Sequence, residues 1–213
     1  MFTPLIVTIF SLVVLLFSVV IHELAHGYVA KSLGDNTAEY QGRLTLNPLK
    51  HLDPFGSVVL PLLLLLATGG AGPIFGWAKP VPVNPYNFKD QKWGALKVSI
   101  AGPLTNFAIA IIFGLIIRFF NYPQLEPFME LLGIVVFYNF LWGVFNLVPI
   151  PPLDGSWILF WSFPYKWERA KSFLSQYGLF LLIFFIFFGG LTGVSLIAQV
   201  LYNFVAGTSF PIL

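Results

Sequence analysis

Four long stretches of this chain are apolar and carry no charge, and they constrain its fold more than any other feature. They contain no Asp, Glu, Lys or Arg and cover residues 1–21, 98–117, 131–153 and 172–213. A helix that crosses the hydrocarbon layer of a bilayer needs about 20 such residues. Only 9% of the chain is charged, whereas a soluble domain carries roughly a quarter. The sequence therefore predicts an all-α integral membrane protein, a polytopic helical bundle.

Breakers and caps place the ends of the membrane helices. The first helix is predicted from about Pro4 to Leu33, ending at Gly34, because glycine is a common C-terminal cap. The other apolar runs predict helices at residues 98–117, at about 131–148, and from about 172 onward.

One membrane-embedded domain is the simplest division of the chain. It is predicted to comprise residues 1–213, with a core at about 4–160 and a C-terminal membrane segment or segments at 172–207. At about 1.5 Å per residue, the final stretch is too long for one straight crossing. Three glycines leave open whether it makes two short passes or one pass with an interfacial tail: Gly189, Gly190 and Gly193.

Residues 54–78 are also free of charge, but prolines and glycines interrupt them. If they cross the membrane, the basic residues divide 4 to 7 between the two faces. If residues 55–75 instead dip in and return, the division is 10 to 1, with Arg118 alone on the far side. Cytoplasmic loops carry an excess of Lys and Arg, which favours the re-entrant interpretation. It predicts an external N-terminus and a cytoplasmic location for residues 31–97 and 161–171.

The polar segment between the first two apolar regions is rich in turn-forming residues. Apolar and polar side chains alternate over residues 40–46, a pattern that is compatible with a short strand or β-hairpin.

Composition also excludes several function classes. The net charge is only +2 and the basic residues are scattered, which argues against nucleic-acid binding. Cysteine is absent, which excludes disulfides and thiolate chemistry. The N-terminal apolar run lacks a basic beginning and leads directly into a cluster of ionisable residues, so it is not interpreted as a cleaved signal peptide.

That cluster is His22-Glu23-Leu24-Ala25-His26, the pattern H-E-x-x-H. Residues four apart lie on one face of a helix, so both imidazoles can bind one metal ion, expected to be a single Zn²⁺ per chain. Glu23 lies beside them and can accept a proton from a water molecule. Ionisable groups inside a membrane helix cost roughly 2–3 kcal/mol each, so they are expected to face a functional interior.

A catalytic zinc ion normally has a third protein ligand and one open position. The candidates are His51, Asp53, Asp154 and the glutamates. Asp154 is favoured because it follows the apolar run 131–153, whose final prolines leave backbone groups that need partners. A proline-capped helix end is the plainer explanation of this segment. Glu126 and Glu130 lie at the far face in the predicted topology.

Three segments together resemble the site-2 protease family of intramembrane metalloproteases. They are the H-E-x-x-H motif, residues 99–107 (SIAGPLTNF), and the N-x-x-P-x-x-P-L-D-G run at residues 146–155. Their order and spacing match three core helices of the family, and the resemblance covers roughly residues 15–160. It implies a three-helix catalytic core within the bundle.

The resemblance also implies roles for individual residues. His22, His26 and Asp154 would bind zinc, and Glu23 would act as the general base. Asn146 would orient the substrate or stabilise the developing oxyanion, as hydrogen-bond donors often do in acyl transfer. Asn106 is a weaker candidate, for which a helix-packing role is an equal explanation.

Two further segments, residues 47–54 and 75–82, resemble parts of compact bacterial members of the family. His51 and Asp53 in the first segment could form a second metal site, but a turn stabilised by side chains is favoured. Unlike larger members, the sequence shows no helix before the motif helix and no room for a PDZ or CBS domain.

The sequence therefore predicts an intramembrane zinc metalloendopeptidase that hydrolyses peptide bonds in or near transmembrane segments. Its expected partners are a membrane-protein or peptide substrate and the lipid bilayer, with no nucleic acid. The expected location is a bacterial plasma membrane, with the site near the cytoplasmic face. Three alternatives stay open: a prenyl-protein endoprotease with a glutamate as third ligand, a non-proteolytic membrane metal-binding or transport protein, and an inactive homologue.

Overall fold

The computed structural model describes residues 2–69, 76–91, 93–120 and 122–210, and they are mostly helical. The α-helices are α1 (Pro4–Ser32), α2 (Thr37–Tyr40), α3 (Leu60–Thr68), α4 (Gly94–Phe119), α5 (Glu126–Asn146), α6 (Asp154–Ser162), α7 (Glu168–Phe187) and α8 (Gly190–Ala206). A π-helical turn (Pro54–Val59) leads into α3, and 3₁₀ turns lie at Pro48–Lys50, Pro85–Asn87, Pro123–Leu125 and Tyr165–Trp167. Four helices are long and apolar enough to cross a membrane: α1, α4, α5 and α7.

Helix α1 confirms the predicted first helix. The Thr3 side chain accepts a hydrogen bond from the Ile6 amide and Pro4 occupies the first turn, so the N-terminus of α1 is capped. The helix ends at Ser32, and Gly34 beyond it has a φ of 106° that favours glycine.

The centre of the molecule is formed by α1, α4 and α5, with α8 packed against α4 and α5. Small side chains let these helices approach closely, as is common between membrane helices. Ala110 and Ala198 are fully buried in this core. A Cβ on Gly114 would lie 2.8 Å from Val205 Cγ1, so the contact between α4 and α8 depends on a residue without a side chain.

Helices α4, α5 and α7 each begin before the apolar run that predicted them. The backbone N–H and C=O groups at the ends of a membrane helix need hydrogen-bond partners, so such helices continue into the interface. Polar and charged residues are tolerated there. Thus α4 starts at Gly94 and α7 at Glu168, whose carboxylate lies 3.8 Å from the Lys171 ammonium. Helix α5 stops at Asn146, ahead of the prolines.

The predicted re-entrant segment has both of its flanks on one side of the molecule. The π-helical turn has six residues and α3 has nine. Together they are about 22 Å long, which is too short for a full crossing of the membrane. The Trp77 amide donates to the Gly56 carbonyl (3.2 Å), and Leu52 pairs with Ala78 in an antiparallel bridge. These contacts agree with a segment that returns to its starting face. Residues 70–75 of the predicted segment lie outside the described residues.

The predicted strand at residues 40–46 is wrong. Helix α2 ends at Tyr40 and the chain then turns at Gly42, which has a φ of 61°, so that the Arg43 amide donates to the Ala38 carbonyl. Within the described ranges the chain forms no strand, only the Leu52–Ala78 bridge. Alternation specifies a strand only where a neighbouring strand can pair with it, and here the local turn takes the backbone groups instead.

The C-terminal region consists of two helices. Phe188 and Gly189 separate α7 from α8, and Gly189 has a φ of 89°, a conformation that favours glycine. Arg118 Nη1 donates to the Phe204 carbonyl (2.9 Å), which places the ends of α4 and α8 side by side. Most of α7 is exposed, and it reaches the body where Gly178 lies against Pro151.

Candidate metal centre

The two histidines of the H-E-x-x-H motif lie one turn apart on the inner face of α1. Their ring centroids are 4.7 Å apart and the rings are nearly perpendicular, at 84°. His22 and His26 are both buried. The helical period therefore places both imidazoles where one ion can contact them.

Asp154 joins the histidines from a distant part of the chain. Its Oδ2 atom lies 3.0 Å from His22 Nε2 and 3.2 Å from His26 Nε2. A Cβ on Gly155 would overlap the Leu147 carbonyl, so the loop between α5 and α6 folds back tightly and brings Asp154 to the site. Among the described residues this is the one group of three His, Cys, Asp or Glu side chains arranged to hold a metal ion.

Hydrogen bonds on the outer side of each imidazole determine which nitrogen carries the proton. His22 Nδ1 lies 2.7 Å from Asn106 Oδ1, and His26 Nδ1 lies 2.7 Å from the Val98 carbonyl. Both partners are acceptors, so both Nδ1 atoms carry hydrogen and both Nε2 atoms present lone pairs.

Three electron-pair donors consequently point at one another: two Nε2 atoms and Asp154 Oδ2. Asp154 Oδ2 is buried and, with each imidazole protonated at Nδ1 alone, has no hydrogen-bond donor. Such an arrangement is unfavourable unless a cation lies between the three atoms. Two imidazole nitrogens and one carboxylate oxygen form a ligand set typical of catalytic Zn²⁺, so the residues present fit this ion.

Helix α4 passes the site at Gly102. A Cβ there would lie 2.5 Å from His26 Nε2 and 2.6 Å from His22 Nε2. Glycine is therefore the residue that lets α4 lie directly against the two imidazoles.

Glu23 reaches the same cavity and is held by a loop. Its Oε2 atom accepts a hydrogen bond from the Val81 amide (2.7 Å). The backbone next to Val81 is fixed in turn, since the Lys79 amide donates to the His51 carbonyl and Arg43 Nη2 donates to the Lys79 carbonyl, each at 2.8 Å.

The cavity has a volume of about 290 Å³. Among the residues that line it are His22, Glu23, His26, Val81, Asn146 and Asp154. Asn146 lies at the end of α5, and its Nδ2 donates to the Trp142 carbonyl (3.0 Å), which leaves the second N–H of that amide for another acceptor. The five favoured site residues therefore line this cavity, whereas the weaker candidate Asn106 is not among its lining residues and contacts His22 instead.

The sequence model of peptidase family M50 matches residues 10–126 and 121–185 of the chain. The chain belongs to this family. It is the site-2 protease family, as the motifs predicted, and the protein is a zinc metalloprotease of the site-2 type. With four helices able to cross a membrane, it is an integral membrane protein.

Several proteins are similar to this peptidase. YwhC of Bacillus subtilis is 42% identical over 75% of the chain and 71% of its own length. Rip2 of Mycolicibacterium smegmatis is 32% identical over 79% of the chain and 62% of its own length. Both are provisionally named as zinc metalloproteases. Zinc metalloprotease MJ0392 of Methanocaldococcus jannaschii is 31% identical over 84% of the chain and 42% of its own length. No solved structure matches the chain.

His51 and Asp53, considered above for a second metal site, have structural contacts instead. His51 Nε2 lies 2.9 Å from the Thr45 carbonyl, and Asp53 Oδ1 accepts from the Gly56 amide (2.6 Å) at the start of the π-helical turn. Neither residue belongs to a group of metal-binding side chains in the described part of the chain. The favoured interpretation, a turn held by side chains, agrees with these contacts.

Asp35 holds the segment that follows Val81 in the chain, and the sequence analysis did not single it out. It is fully buried, and its carboxylate accepts from the Thr37 amide, the Asn84 amide (2.7 Å) and Asn87 Nδ2 (2.8 Å). Burial raises the pKa of this carboxyl group, but the hydrogen bonds from Thr37, Asn84 and Asn87 outweigh it and hold the pKa below its ordinary value.

Sequence reasoning missed four groups on other elements that support the site. They are Val98 and Gly102 on α4, Val81 in the loop that holds Glu23, and Asn139 on α5, whose Oδ1 accepts from Asn106 Nδ2. Two of them act through the backbone, which leaves no side-chain signature. Asn139 did carry a signal, because a lone amide in an apolar helix usually faces a partner inside the bundle.

Proposed function

We propose that this peptidase is an intramembrane endopeptidase that hydrolyses peptide bonds in or near transmembrane segments of membrane-protein substrates. The observation that carries the proposal is the meeting of His22 Nε2, His26 Nε2 and Asp154 Oδ2 at the wall of a cavity between apolar helices. Peptide hydrolysis at such a site requires a metal ion, a base and a donor for the oxyanion.

The metal ligands in this proposal are His22, His26 and Asp154. When bound, zinc acts as a Lewis acid that polarises the scissile carbonyl and lowers the pKa of water towards about 7. Asn106 and the Val98 carbonyl hold the two imidazoles in the orientation that ligation requires.

Glu23 is the proposed general base. It follows His22 in α1 and lies at the cavity wall, where its carboxylate can accept a proton from the attacking water. The same carboxyl group then delivers the proton to the leaving amine. The Val81 amide holds Oε2, which restricts the carboxylate to one orientation while Oε1 stays able to accept.

Asn146 is the proposed substrate-positioning or oxyanion-stabilising residue. It shares the cavity with Glu23 and Asp154, and its amide has a second N–H besides the one that donates to Trp142. Removing a single donor of this kind typically slows acyl transfer by about 10²–10³-fold.

A substrate helix must unwind before cleavage, because its own hydrogen bonds shield each carbonyl. The non-helical backbone that lines the cavity belongs to Pro80, Val81 and Val83, and not to residues 40–46, where the sequence predicted a strand edge. The unwound substrate would therefore lie beside residues 80–83.

The proposed topology places the site near the cytoplasmic face of a bacterial plasma membrane, in a single domain. Its support is the distribution of basic residues, 10 to 1 with Arg118 on the far side. His22 precedes Lys31 by about 13 Å of helix, which supports a position of the metal ligands inside the membrane.

The alternatives find less support. A prenyl-protein endoprotease would use a glutamate as third ligand, but Glu126 and Glu130 lie in the first turns of α5, at the end opposite Asn146. A transport protein or an inactive homologue would have no use for Glu23 at the cavity wall.

The test is reconstitution of the protein in liposomes with model transmembrane peptides and a measurement of zinc per chain. Glu23→Gln should abolish cleavage while one zinc ion per chain is retained, and Asp154→Ala should lose both. Glu130→Gln is the matched control and should keep zinc and activity. Cleavage by Glu23→Gln at the wild-type rate would refute the role of this residue.

A further inference from the structure

We propose that Asn139 on α5, acting through Asn106 on α4, fixes the tautomer of His22 and thereby sets the zinc affinity of a site that Asn139 does not touch. Asn139 is a positioning residue in this proposal. The inference rests on the proposed role of His22 as a zinc ligand, and it adds a residue to which neither the motifs nor the comparisons give a role.

The three side chains form a continuous buried row. Asn139 Nδ2 donates to the Val135 carbonyl (2.8 Å), and Asn139 Oδ1 accepts from Asn106 Nδ2 (2.9 Å). Asn106 Oδ1 then lies 2.7 Å from His22 Nδ1. Asn106 is 0% exposed and Asn139 is 2% exposed, so water does not compete for these hydrogen bonds.

Each hydrogen bond in this row determines the next. The Val135 carbonyl can only accept, so the NH₂ group of Asn139 must face it and the oxygen must face Asn106. That oxygen also only accepts, so the NH₂ group of Asn106 must face Asn139. Asn106 Nδ2 makes a second hydrogen bond to the Ser18 carbonyl (3.2 Å), which favours the same orientation. Asn106 therefore presents an oxygen to His22, and the imidazole must carry its proton on Nδ1.

His22 and His26 differ in how securely this arrangement is held. The acceptor for His26 Nδ1 is the backbone carbonyl of Val98, which cannot exchange its oxygen for a donor. The acceptor for His22 is a side-chain amide that becomes a donor when it rotates by 180°. A rotated Asn106 would direct an N–H at His22 Nδ1, and the imidazole would then place its own proton on Nε2, where it blocks the metal. Asn139 opposes this rotation.

A purely structural role for the two amides is the competing explanation, since they also join α1, α4 and α5. It predicts a loss of thermal stability whenever either amide is removed, with no dependence on which group the replacement presents. The tautomer proposal predicts that zinc affinity follows the direction of the hydrogen bonds and not the stability of the bundle.

The experiment measures zinc affinity by chelator competition on the full chain in lipid nanodiscs. Asn139→Leu has a similar size but leaves only the longer hydrogen bond to the Ser18 carbonyl to oppose rotation of Asn106. It should weaken zinc binding by about 10–100-fold, as loss of an outer-shell partner does. Asn139→Asp in its neutral form still presents an oxygen to Asn106, while its hydroxyl can donate to the Val135 carbonyl in place of Nδ2. Zinc affinity in this variant should remain within about threefold of wild type. Val136→Ala changes a fully buried residue of α5, one turn before Asn139, that makes none of these hydrogen bonds. It controls for lost packing and should lower the melting temperature without weakening zinc binding.

A rescue variant makes the test independent of packing at position 139. In Asn106→Asp combined with Asn139→Leu, the carboxylate presents an oxygen to His22 in either orientation, so zinc affinity should return to within about threefold of wild type. The ¹⁵N resonance of His22 Nδ1 in the zinc-free protein gives a second readout, because zinc on Nε2 would itself hold the proton on Nδ1, and three histidines in the chain make its assignment tractable. It should shift in Asn139→Leu, while that of His26 Nδ1 should not.

The proposal is overturned if Asn139→Leu binds zinc as tightly as wild type, or if the double variant binds no better than Asn139→Leu. It is also overturned if Val136→Ala weakens zinc binding as much as Asn139→Leu does. His22→Ala separates this result from the proposed function. If His22→Ala binds zinc like wild type, the ligand assignment fails; if it loses zinc and Asn139→Leu does not, only the relay fails.

Discussion

Gly102 brings α4 against the two imidazoles, and its missing side chain is a requirement of the site. We expect Gly102→Ala to displace the imidazoles or the helix and to lower zinc occupancy and cleavage, the latter by about 100-fold, since a displacement near 1 Å can have that effect. Gly193→Ala is the matched control, because no atom lies within 4 Å of a Cβ there. Zinc per chain and peptide cleavage are the measurements. An unchanged Gly102→Ala enzyme would show that α4 can move without consequence.

The Val81 amide restrains the proposed base, and proline tests this contact because it has no N–H. We expect Val81→Pro to lower kcat by about tenfold or more, since a misoriented base loses part of the 10²–10⁴-fold that proton transfer contributes. KM and zinc content should change little. Val81→Ala keeps the amide and should retain the wild-type kcat. Equal losses of kcat in both variants would assign the effect to the side chain.

At the scale of the element, Asp35 ties the segment containing Asn84 and Asn87 to the end of α1. Its pKa is lower in the folded protein than in the unfolded chain, so its ionised form stabilises the fold above the ordinary Asp pKa of about 3.9. This contribution is lost as the pH falls through the lowered folded value. We expect hydrogen exchange in residues 79–91 to accelerate in that acidic range.

The variant Asp35→Asn should show fast exchange in residues 79–91 at neutral pH as well, because the amide cannot accept all of these hydrogen bonds as a carboxylate does. The expected loss is about 1–3 kcal/mol for donors left without a partner. Glu168→Gln, at an exposed carboxylate of α7, is the control and should leave the exchange of residues 79–91 unchanged. Protection that is identical in Asp35→Asn and wild type would contradict this role.

The helices were the most predictable elements, for a physical reason. Inside lipid a backbone must satisfy its own hydrogen bonds, so an apolar run such as residues 98–117 has hardly any alternative to a helix. Residues 40–46 lie outside that constraint, and there a local turn at Gly42 replaced the predicted strand. Helix α6 was not predicted. Its start at Asp154 is determined by the tight loop that precedes it, and not by a periodic pattern of apolar residues.

The proposed zinc ligands could be singled out in the sequence because His22 and His26 follow the helical period and Asp154 belongs to a recognisable motif. Their supporting groups were not. The Val98 carbonyl and the Val81 amide belong to the backbone, which looks alike at every residue. Their roles arise from how helices cross, which depends on packing throughout the bundle.

At the scale of the whole molecule, the topology can be tested with single cysteines, since the natural chain has none. We expect Lys50→Cys and Lys89→Cys to react with an impermeant maleimide from the cytoplasmic side, because the flanks of the apolar segment pair through Leu52 and Ala78. Arg118→Cys should react from the opposite side. Labelling of positions 50 and 89 from opposite faces would refute the re-entrant topology.

Removal of the metal should also lower the stability of the whole helical bundle. A ligand that binds only the folded state stabilises it by about 2.7 kcal/mol when its concentration is 100 times Kd. We therefore expect a chelator to lower the melting temperature of the wild-type protein and to have little effect on Asp154→Ala. A wild-type melting temperature that does not respond to chelation would separate metal binding from folding.

The position of Asp154 at the start of α6, facing two histidines of α1, has a consequence for the life of the protein in a cell. The ion would connect α1 to a residue that is synthesised more than a hundred residues later. The metal site therefore cannot form until most of the chain has left the ribosome. Under zinc starvation, newly made copies would stay loosely assembled and become targets of quality-control proteases. Scarcity of the metal would then lower the abundance of this peptidase as well as its turnover.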